Sequence, residues 1–261
     1  MLSADQLLDA LLERARSVTA SETVSVTNAL GRVLAAPQIS AITVPPLDNS
    51  AMDGYAVRVA DVAVAGMRLP VSQRILAGTV GAPLRPGTAA RIFTGAPVPA
   101  GADAVLMQEY CSAEGDEVVI NALPRPGENI RRAGEDIQAG AQVLAAGIRL
   151  GAAEMGLAAS VGLAELTVFR KLKVACFFTG DELVTPGRRL QPGQIYNSNR
   201  TTLTGLVNGL GCELIDLGIV PDTLEATETA LEGAASIADV VITSGGVSVG
   251  EADYVKAAVE K

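Results

Sequence analysis

Residues 172–183, LKVACFFTGDEL, run from a nearly continuous apolar stretch into a short polar loop. The apolar part, residues 172–178, has the length and the aromatic and β-branched content of a buried strand. Further helices and strands then alternate, with helices predicted at 201–210 and 224–235 and strands at 212–217 and 239–243. Such alternation predicts a parallel sheet joined by right-handed helical crossovers. Residues 170–261 are therefore predicted to form an α/β domain.

Residues that favour helix ends stand where this pattern needs them. Gly211 follows the first helix in the position where a left-handed residue commonly ends a helix. Asp222 and Glu225 have the spacing of a capping box at the start of the second helix. The helix boundaries are thus predicted from two independent signals.

The chain before residue 170 has a different texture. Ser3 and Gln6 predict a capping box for a first helix, whose apolar stripe consists of Leu7, Leu8, Leu11, Leu12 and Ala15. A second short helix is predicted at 28–36. Short apolar runs broken by Pro and Gly then predict strands at 89–94, 104–108 and 118–120, with a hairpin turn at 114–116 between the last two. A helix at 152–160 and a strand at 165–169 complete this part.

The predicted fold class is α/β plus β, in several domains. We expect a discontinuous helical and linker domain at 1–40 and 134–169 that mediates dimerisation. An all-β insert is expected at 41–133, followed by the α/β domain at 170–261.

Composition excludes several functions. The 261 residues include 29 acidic and 20 basic side chains, for a formal charge of -9, which disfavours nucleic acid and anionic membranes as partners. Histidine is absent, which excludes Ser-His-Asp triads and histidine-ligated zinc. The three cysteines lack metal-site spacing and are predicted to be buried thiols. No basic leader or apolar run of about 20 residues is present, so a cytoplasmic protein is expected.

Two polar loops follow predicted strands of the α/β domain. In open α/β sheets, ligands bind beyond the carboxyl ends of the strands. The loop Thr179-Gly180-Asp181-Glu182 carries a hydroxyl group and two carboxylates, although an ordinary capped loop would have the same composition. The loop at 244–250, SGGVSVG, resembles a backbone cradle for an anion, and a simple glycine-rich turn is the alternative.

Three acids, Glu182, Asp222 and Asp253, each follow a strand or begin the next helix. If they face one crevice, their oxygens suit Mg²⁺. Helix capping alone would explain Asp222, and a favourable charge in a first helical turn would explain Asp253.

The predicted β insert contributes further polar segments. Residues 44–56 combine two prolines with Asp, Asn and Ser, and residues 91–99 end a strand in Thr94-Gly95; turn chemistry alone accounts for both. Arg131 and Arg132 form a local basic cluster that suits a small anion despite the negative net charge.

Six blocks of the sequence, spread from end to end, resemble one family. They are DNSAMDGYA (48–56), RIFTGAPVP (91–99), NIRRAGEDI (129–137), TGDEL (179–183), QIYNSNR (194–200) and TSGGVSVGEAD (243–253). Their order and spacing are similar to those of the molybdopterin molybdenumtransferases, called MoeA in bacteria and represented in animals by the E domain of gephyrin. The resemblance implies an enzyme of molybdenum cofactor biosynthesis that inserts molybdate into adenylylated molybdopterin, with Mg²⁺ assisting, and releases AMP.

The resemblance also implies which residues of this chain form the catalytic, metal-binding and substrate-binding sets. The catalytic set that it implies is Asp53, Thr94, Glu182, Asp222 and Asp253, of which Glu182, Asp222 and Asp253 would hold Mg²⁺. The substrate-binding set comprises Thr179, Gly180, Asp181, Asn199, Ser244, Gly245, Gly246, Ser248, Arg131 and Arg132. The α/β domain would be a three-layer, MogA-like pterin-binding domain. A homodimer is implied in which Asp53 and Thr94 act on the partner's pterin domain, with molybdopterin adenylyltransferase and molybdoenzyme pathway proteins as further partners.

The chain departs from the family at two places. Asn197-Ser198 stands where many members have an acid followed by a hydroxyl residue, which puts a charge role there in question. The sequence stops at Lys261, before the family's Pro-Gly-Lys-Pro type loop and final β domain, so we expect a C-terminally shortened member with an incomplete α/β domain whose own activity is open. The alternatives are a molybdopterin adenylyltransferase, disfavoured by block 48–56, and a gephyrin-like scaffold or binding module.

Overall fold

The computed structural model describes residues 3–245 and 254–261. These residues form two compact units. The α/β unit comprises residues 1–36, 146–155 and 165–261, and the β unit comprises residues 37–145 and 156–164. These bounds differ from the three-domain division expected above, which remains a prediction.

The elements follow one another along the chain. They begin with α1 (Ala4–Arg14), β1 (Ser21–Ser25), β2 (Gln38–Ile39), β3 (Asn49–Ser50), β4 (Gly54–Val57), β5 (Met67–Ile75), β6 (Ala89–Ile92), β7 (Ala104–Met107), β8 (Cys111–Glu114), β9 (Glu117–Ile120), β10 (Ile130–Arg131) and β11 (Gln142–Leu144). They continue with α2 (Ala152–Ser160), β12 (Glu165–Phe169), β13 (Lys173–Thr179), β14 (Leu183–Val184), β15 (Ile195–Tyr196), α3 (Ser198–Gly209), β16 (Glu213–Val220), α4 (Leu224–Ile237), β17 (Val240–Ser244) and α5 (Val255–Val259). None of the helices within the described ranges is both long and apolar enough to cross a membrane.

The α/β unit is built on a parallel sheet in the order β16-β13-β17, which confirms the predicted alternation. Strand β13 lies in the centre, and six of its seven residues are buried, as expected for a parallel strand covered on both faces. In register, Thr179 pairs with Val220 and Phe178 with Ser244. The carboxyl ends of the three strands therefore lie side by side.

The first helix of this unit is as predicted, but its apolar stripe is uncovered. The capping box is present: the Gln6 backbone N–H donates to Ser3 Oγ, and the Ser3 N–H donates to Gln6 Oε1. Among the described residues nothing buries the stripe, whose leucines at 7, 8, 11 and 12 are between 50% and 63% exposed. The helix therefore gains little from packing within this chain.

The helix expected at 28–36 is wrong. A single 3₁₀ turn, Val26–Asn28, is followed by Gly31 with a φ of 74°. Leu34 then donates its N–H to Ile148 O, and its own carbonyl accepts from the Gly147 N–H. The backbone here finds partners distant in sequence, so it does not need helical ones.

The β unit contains a six-stranded sheet in the order β7-β4-β6-β5-β9-β8. Its pairings are antiparallel apart from β5 with β6. Because side chains alternate along a strand, Tyr55 and Val57 of β4 pack in one cluster with Leu106, while Ala56 packs in another with Ile92. Strand β4 is therefore buried on both faces.

Three details of the sequence prediction need correction. The turn around Gly115 joins β9 to β8, and not to β7 as expected, because the mostly exposed strand β8 has too weak an apolar pattern to be recognised. Helix α4 is capped by Thr223, whose hydroxyl accepts the Ala226 N–H, and not by Asp222. Of the three free cysteines only Cys176 is buried; Cys111 and Cys212 are half-buried.

Candidate functional site

The loop that follows β13 turns sharply at Gly180. Its φ is 146°, and an added Cβ would lie 2.7 and 2.9 Å from the two carboxylate oxygens of Glu182. The Leu183 N–H donates to Gly180 O over 3.0 Å and closes the turn. Only glycine fits this geometry, which leaves the Glu182 carboxylate close to the end of the central strand.

The loops after β13 and β16 are joined by two aspartates. The Asp181 N–H donates to Asp222 Oδ2 over 3.3 Å, and the Asp222 N–H donates to Asp181 Oδ1 over 3.4 Å. Both contacts are long for hydrogen bonds to a carboxylate. Asp222 therefore reaches across to the neighbouring loop, and capping does not account for its position.

A cleft of about 240 Å³ lies at the carboxyl ends of β13 and β17, and we call it the loop cleft. Five of the predicted site residues line it: Thr179, Glu182, Asn199, Ser244 and Gly245. Asn199 Nδ2 donates to Ser244 Oγ over 2.8 Å. A Cβ on Gly245, whose φ is 105°, would lie 2.5 Å from Thr179 O and 2.6 Å from Thr179 Oγ1, so this position also requires glycine.

The predicted site is described only in part. Asp253, Gly246 and Ser248 fall outside the described residues. Within residues 3–245 and 254–261, no group of three or more acidic or cysteine side chains is placed to hold a metal ion. The chemistry of Glu182 and Asp222 still fits Mg²⁺, because this ion is usually held by one or two carboxylates together with water and substrate phosphate oxygens.

The predicted residues Asp53 and Thr94 come together in the β unit. Asp53 Oδ1 accepts the Thr94 backbone N–H over 2.8 Å and the Thr94 hydroxyl over 2.7 Å. The pairing of Gly54 with Ile92 brings the two segments together. Gly54 is essential for the approach of β4 to β7, because a Cβ there would lie 1.8 Å from Leu106 O.

The pKa of Asp53 is lowered below its ordinary value. The largest cause is the Thr94 N–H, followed by the Thr94 hydroxyl, and the positive charge of Arg91 adds to them. All three stabilise the charged form of the carboxyl group. Asp53 is therefore an anion with a fixed orientation.

Arg91 is a residue of this site that the sequence prediction did not single out. It donates to Gly54 O over 3.1 Å and to Gln108 Oε1 over 2.7 Å. Its guanidinium group also lies over the rings of Tyr55 and Phe93, at 5.1 and 4.6 Å from their centroids. The sequence feature that could have identified Arg91 is its charge, since it stands between the apolar residues Ala90 and Ile92 of a buried strand.

Arg131 and Arg132 are engaged with carboxylates of the β unit. Arg131 contacts Asp136 at 2.5 Å and Glu135 at 3.6 Å, and Arg132 contacts Asp48 at 2.5 Å. The Ala133 N–H and the Arg132 side chain lower the pKa of Asp48, and the Asp136 side chain raises the pKa of Arg131. A substrate would have to compete with these contacts, and the substrate-binding role remains a prediction.

Comparison with known proteins adds to this geometry. The family model described as "MoeA N-terminal region (domain I and II)" matches residues 2–162, and the one described as "Probable molybdopterin binding domain" matches residues 175–261. The chain is 46% identical to a molybdopterin molybdenumtransferase of Haemophilus influenzae, over 100% of this chain and 65% of that protein. It is 45% identical to one of Nostoc sp., over 90% of this chain and 55% of that protein.

A solved structure is also similar. A molybdopterin biosynthesis MoeA protein of Pyrococcus horikoshii OT3 matches with a TM-score of 0.84 and 33% identity, over 91% of this chain and 65% of that one. The chain thus spans about 65% of the length of its Haemophilus relative. The first family model matches well over half of the chain, and its range includes Asp53, Thr94 and Arg91. On these grounds the chain belongs to the MoeA family.

Proposed function

We propose that this chain acts in molybdenum cofactor biosynthesis, in the insertion of molybdate into adenylylated molybdopterin with release of AMP. The observation that carries the proposal is the convergence of Thr179, Glu182, Asn199, Ser244 and Gly245 on one cleft at the carboxyl ends of a parallel sheet. That is the usual position of ligands in open α/β sheets. The two relatives quoted above are named molybdopterin molybdenumtransferases.

The residues of the loop cleft suit an adenylylated ligand. Hydroxyl and amide groups of Ser244 and Asn199 provide uncharged hydrogen-bonding partners for polar groups of the ligand. Glu182 and Asp222 would hold Mg²⁺, which when bound would offset negative charge developing on the phosphate oxygens. Because the two glycines at 180 and 245 keep side chains out of the turn, the ligand can approach the backbone closely.

The Asp53–Thr94 pair is proposed to serve the same reaction from the partner subunit of a homodimer. Thr94 donates its hydroxyl hydrogen to Asp53, so its oxygen retains lone pairs that accept a hydrogen bond from a ligand. The exposed leucine stripe of α1 supports the dimer, since an uncovered apolar face is a common interaction surface. The proposed site of action is the cytoplasm.

The test is direct measurement of product. The 261-residue chain is incubated with adenylylated molybdopterin, molybdate and Mg²⁺, and AMP is quantified by chromatography. AMP release that depends on molybdate supports the proposal. Formation of adenylylated molybdopterin from ATP would favour an adenylyltransferase, and tight ligand binding without AMP release would favour a binding or scaffold module.

The proposed dimer is tested separately by light scattering. Leu8→Asp and Leu12→Asp place charges on the exposed stripe and are expected to convert a dimer into a monomer. Val64→Asp, at a similarly exposed apolar residue of the β unit, serves as the control and should leave the mass unchanged. A wild-type chain that is monomeric at micromolar concentration would contradict the dimer.

A further inference from the structure

Two buried hydrogen-bonding groups in the loop cleft have no partner among the residues that the structure describes. Asn197 is 2% exposed and Thr179 is 7% exposed, and both line the cleft. Asn197 Nδ2 and Thr179 Oγ1 have no hydrogen-bond partner within the described part of the chain. A buried polar group without a partner costs about 1–3 kcal/mol. Such a group at the wall of a cleft points to a ligand atom as its partner.

The orientation of the Asn197 amide follows from its second role. Asn197 is the N-cap of α3, and its Oδ1 accepts the Arg200 N–H over 3.1 Å. Exchanging the oxygen and nitrogen would place an NH₂ group against another donor. The Asn197 N–H is itself bonded to Val184 O over 2.9 Å, which anchors the residue to the loop. Nδ2 is therefore a donor held in place by the backbone.

The surroundings indicate what this donor binds. Glu182 lines the same cleft, and its negative charge disfavours an oxyanion next to it unless Mg²⁺ is bound between them, as proposed above for the phosphate. Ile195 and Tyr196, which also line the cleft, are 54% and 45% exposed and offer apolar surface to a flat ring. A neutral carbonyl oxygen on a planar heterocycle meets these conditions better than a phosphate does.

We propose that Asn197 is a specificity-determining residue that donates a hydrogen bond from Nδ2 to the neutral ring carbonyl of a planar heterocyclic ligand, with Thr179 Oγ1 as a second donor. The inference rests on the proposed function to the extent that the pterin ring of molybdopterin is such a heterocycle. Under this proposal, Asn197 recognises the ring through a hydrogen bond and does not take part in the transfer of molybdate.

The first test compares two variants that retain the helix cap. Asp and Ser are good N-caps, so Asn197→Asp and Asn197→Ser keep α3 capped but remove the amide donor. We expect both variants to weaken the binding of pterin, measured by its fluorescence, by about tenfold or more. Asn197→Ser removes an unpartnered buried donor, so its melting temperature should equal or exceed that of the wild type. Ser3→Asp, a matched cap change in α1, should bind like wild type. A loss in Asn197→Asp alone would assign the effect to charge and overturn the proposal.

The second test observes the donor itself. The side-chain amide signal of Asn197 in a ¹⁵N–¹H NMR spectrum is identified by its loss in Asn197→Asp. Titration with pterin should shift this signal, and titration with inorganic phosphate should not. A shift with phosphate only, or with neither probe, overturns the inference.

The two tests separate the inference from the proposed function. If molybdopterin binds and AMP is released while the Asn197 signal stays in place with pterin, the proposed function stands and the inference fails. If pterin shifts the signal but the chain neither binds molybdopterin nor releases AMP, the inference stands and the proposed function fails.

Discussion

The loop cleft of the α/β unit and the Asp53–Thr94 pair of the β unit differ in how far their polar groups are hydrogen-bonded within the protein. Asp53 accepts two short hydrogen bonds from a single residue, at 2.7 and 2.8 Å. In and beside the loop cleft, the contacts between Asp181 and Asp222 are 3.3 and 3.4 Å long, and Thr179 Oγ1 is buried without a partner among the described residues.

The difference in hydrogen bonding reflects a division of the site between groups that bind a ligand and groups that hold a fixed position. Groups that must bind a ligand cannot be fully satisfied by the protein, because their hydrogen bonds are needed for the ligand. Groups that only present a fixed charge or an oriented oxygen can be satisfied internally, and they gain rigidity from it. Substitutions in the two regions should therefore have different consequences for stability and activity.

The largest effect is expected from Asp222→Asn. The amide keeps the size of the side chain and an acceptor oxygen for the Asp181 N–H, but it loses the charge that would offset Mg²⁺. We expect the rate of AMP release to fall about 100-fold, the scale of losing one charge-stabilising group, with the affinity for molybdopterin changed only a few-fold. Glu225→Gln, three residues further on in the first turn of α4, is the matched control. A wild-type rate in Asp222→Asn would contradict the carboxylate role.

A smaller loss is expected from Thr94→Val, which tests the satisfied pair. Valine keeps the shape and the backbone N–H but removes the hydroxyl donor to Asp53. We expect AMP release to fall about tenfold, the effect of one lost hydrogen bond. Thr88→Val, which removes a hydroxyl that donates to Arg85 O in the same unit, should have no effect.

The same variant has a pH signature. In the wild type, the pKa of Asp53 is lower in the folded state than in the unfolded state. The ionised carboxyl group therefore stabilises the folded state when the pH lies above the pKa of the unfolded state, and this contribution is lost as the pH falls through the pKa of the folded state. In Thr94→Val the pKa should rise towards its ordinary value, as measured by NMR titration. An unchanged pKa would show that the hydroxyl does not stabilise the carboxylate.

Sequence patterns were sufficient wherever the structure depends on local periodicity. Strands β13, β16 and β17 and helices α3 and α4 were predicted within a few residues, because the apolar period reports directly on these elements, whereas the two-residue strands β14 and β15 were not predicted. The helix expected at 28–36 was not found, since Leu34 bonds to backbone more than 100 residues away, which no local pattern reveals.

The sequence predicted which types of residue form the candidate site, but it predicted only part of their positions relative to one another. Glu182 follows β13 and Ser244 ends β17, so both could be placed at one sheet edge by topology alone. The stacking of Arg91 on Tyr55 and Phe93 depends on strand pairing and side-chain packing, which the sequence does not display. The Asn197 Nδ2 group, which has no partner among the described residues, likewise becomes evident only when the burial of Asn197 and its role as an N-cap are seen together.

A third prediction contrasts two buried threonines of the α/β unit. Thr179→Val removes a hydroxyl that has no partner in the described structure, so the free energy of unfolding should stay equal or rise by about 1 kcal/mol. Thr227→Val removes a hydroxyl that donates to Thr223 O over 2.9 Å, and it should cost about 1 kcal/mol. Urea denaturation measures both. A clear destabilisation by Thr179→Val would show that its hydroxyl is satisfied within the folded protein.

The smallest effect separates structure from function at two adjacent residues between β16 and α4. Thr223→Ala removes the hydroxyl that accepts the Ala226 N–H, so the free energy of unfolding should fall by about 0.5–1 kcal/mol, a typical N-cap contribution. AMP release should stay close to wild type once the variant is folded, and Thr223→Ser should restore the stability. Asp222→Asn, by contrast, should leave urea denaturation unchanged while it abolishes most of the activity. If Asp222→Asn lowered the stability as much as Thr223→Ala does, the carboxylate would be a structural element of the loop, and the proposal that it holds Mg²⁺ would lose its support.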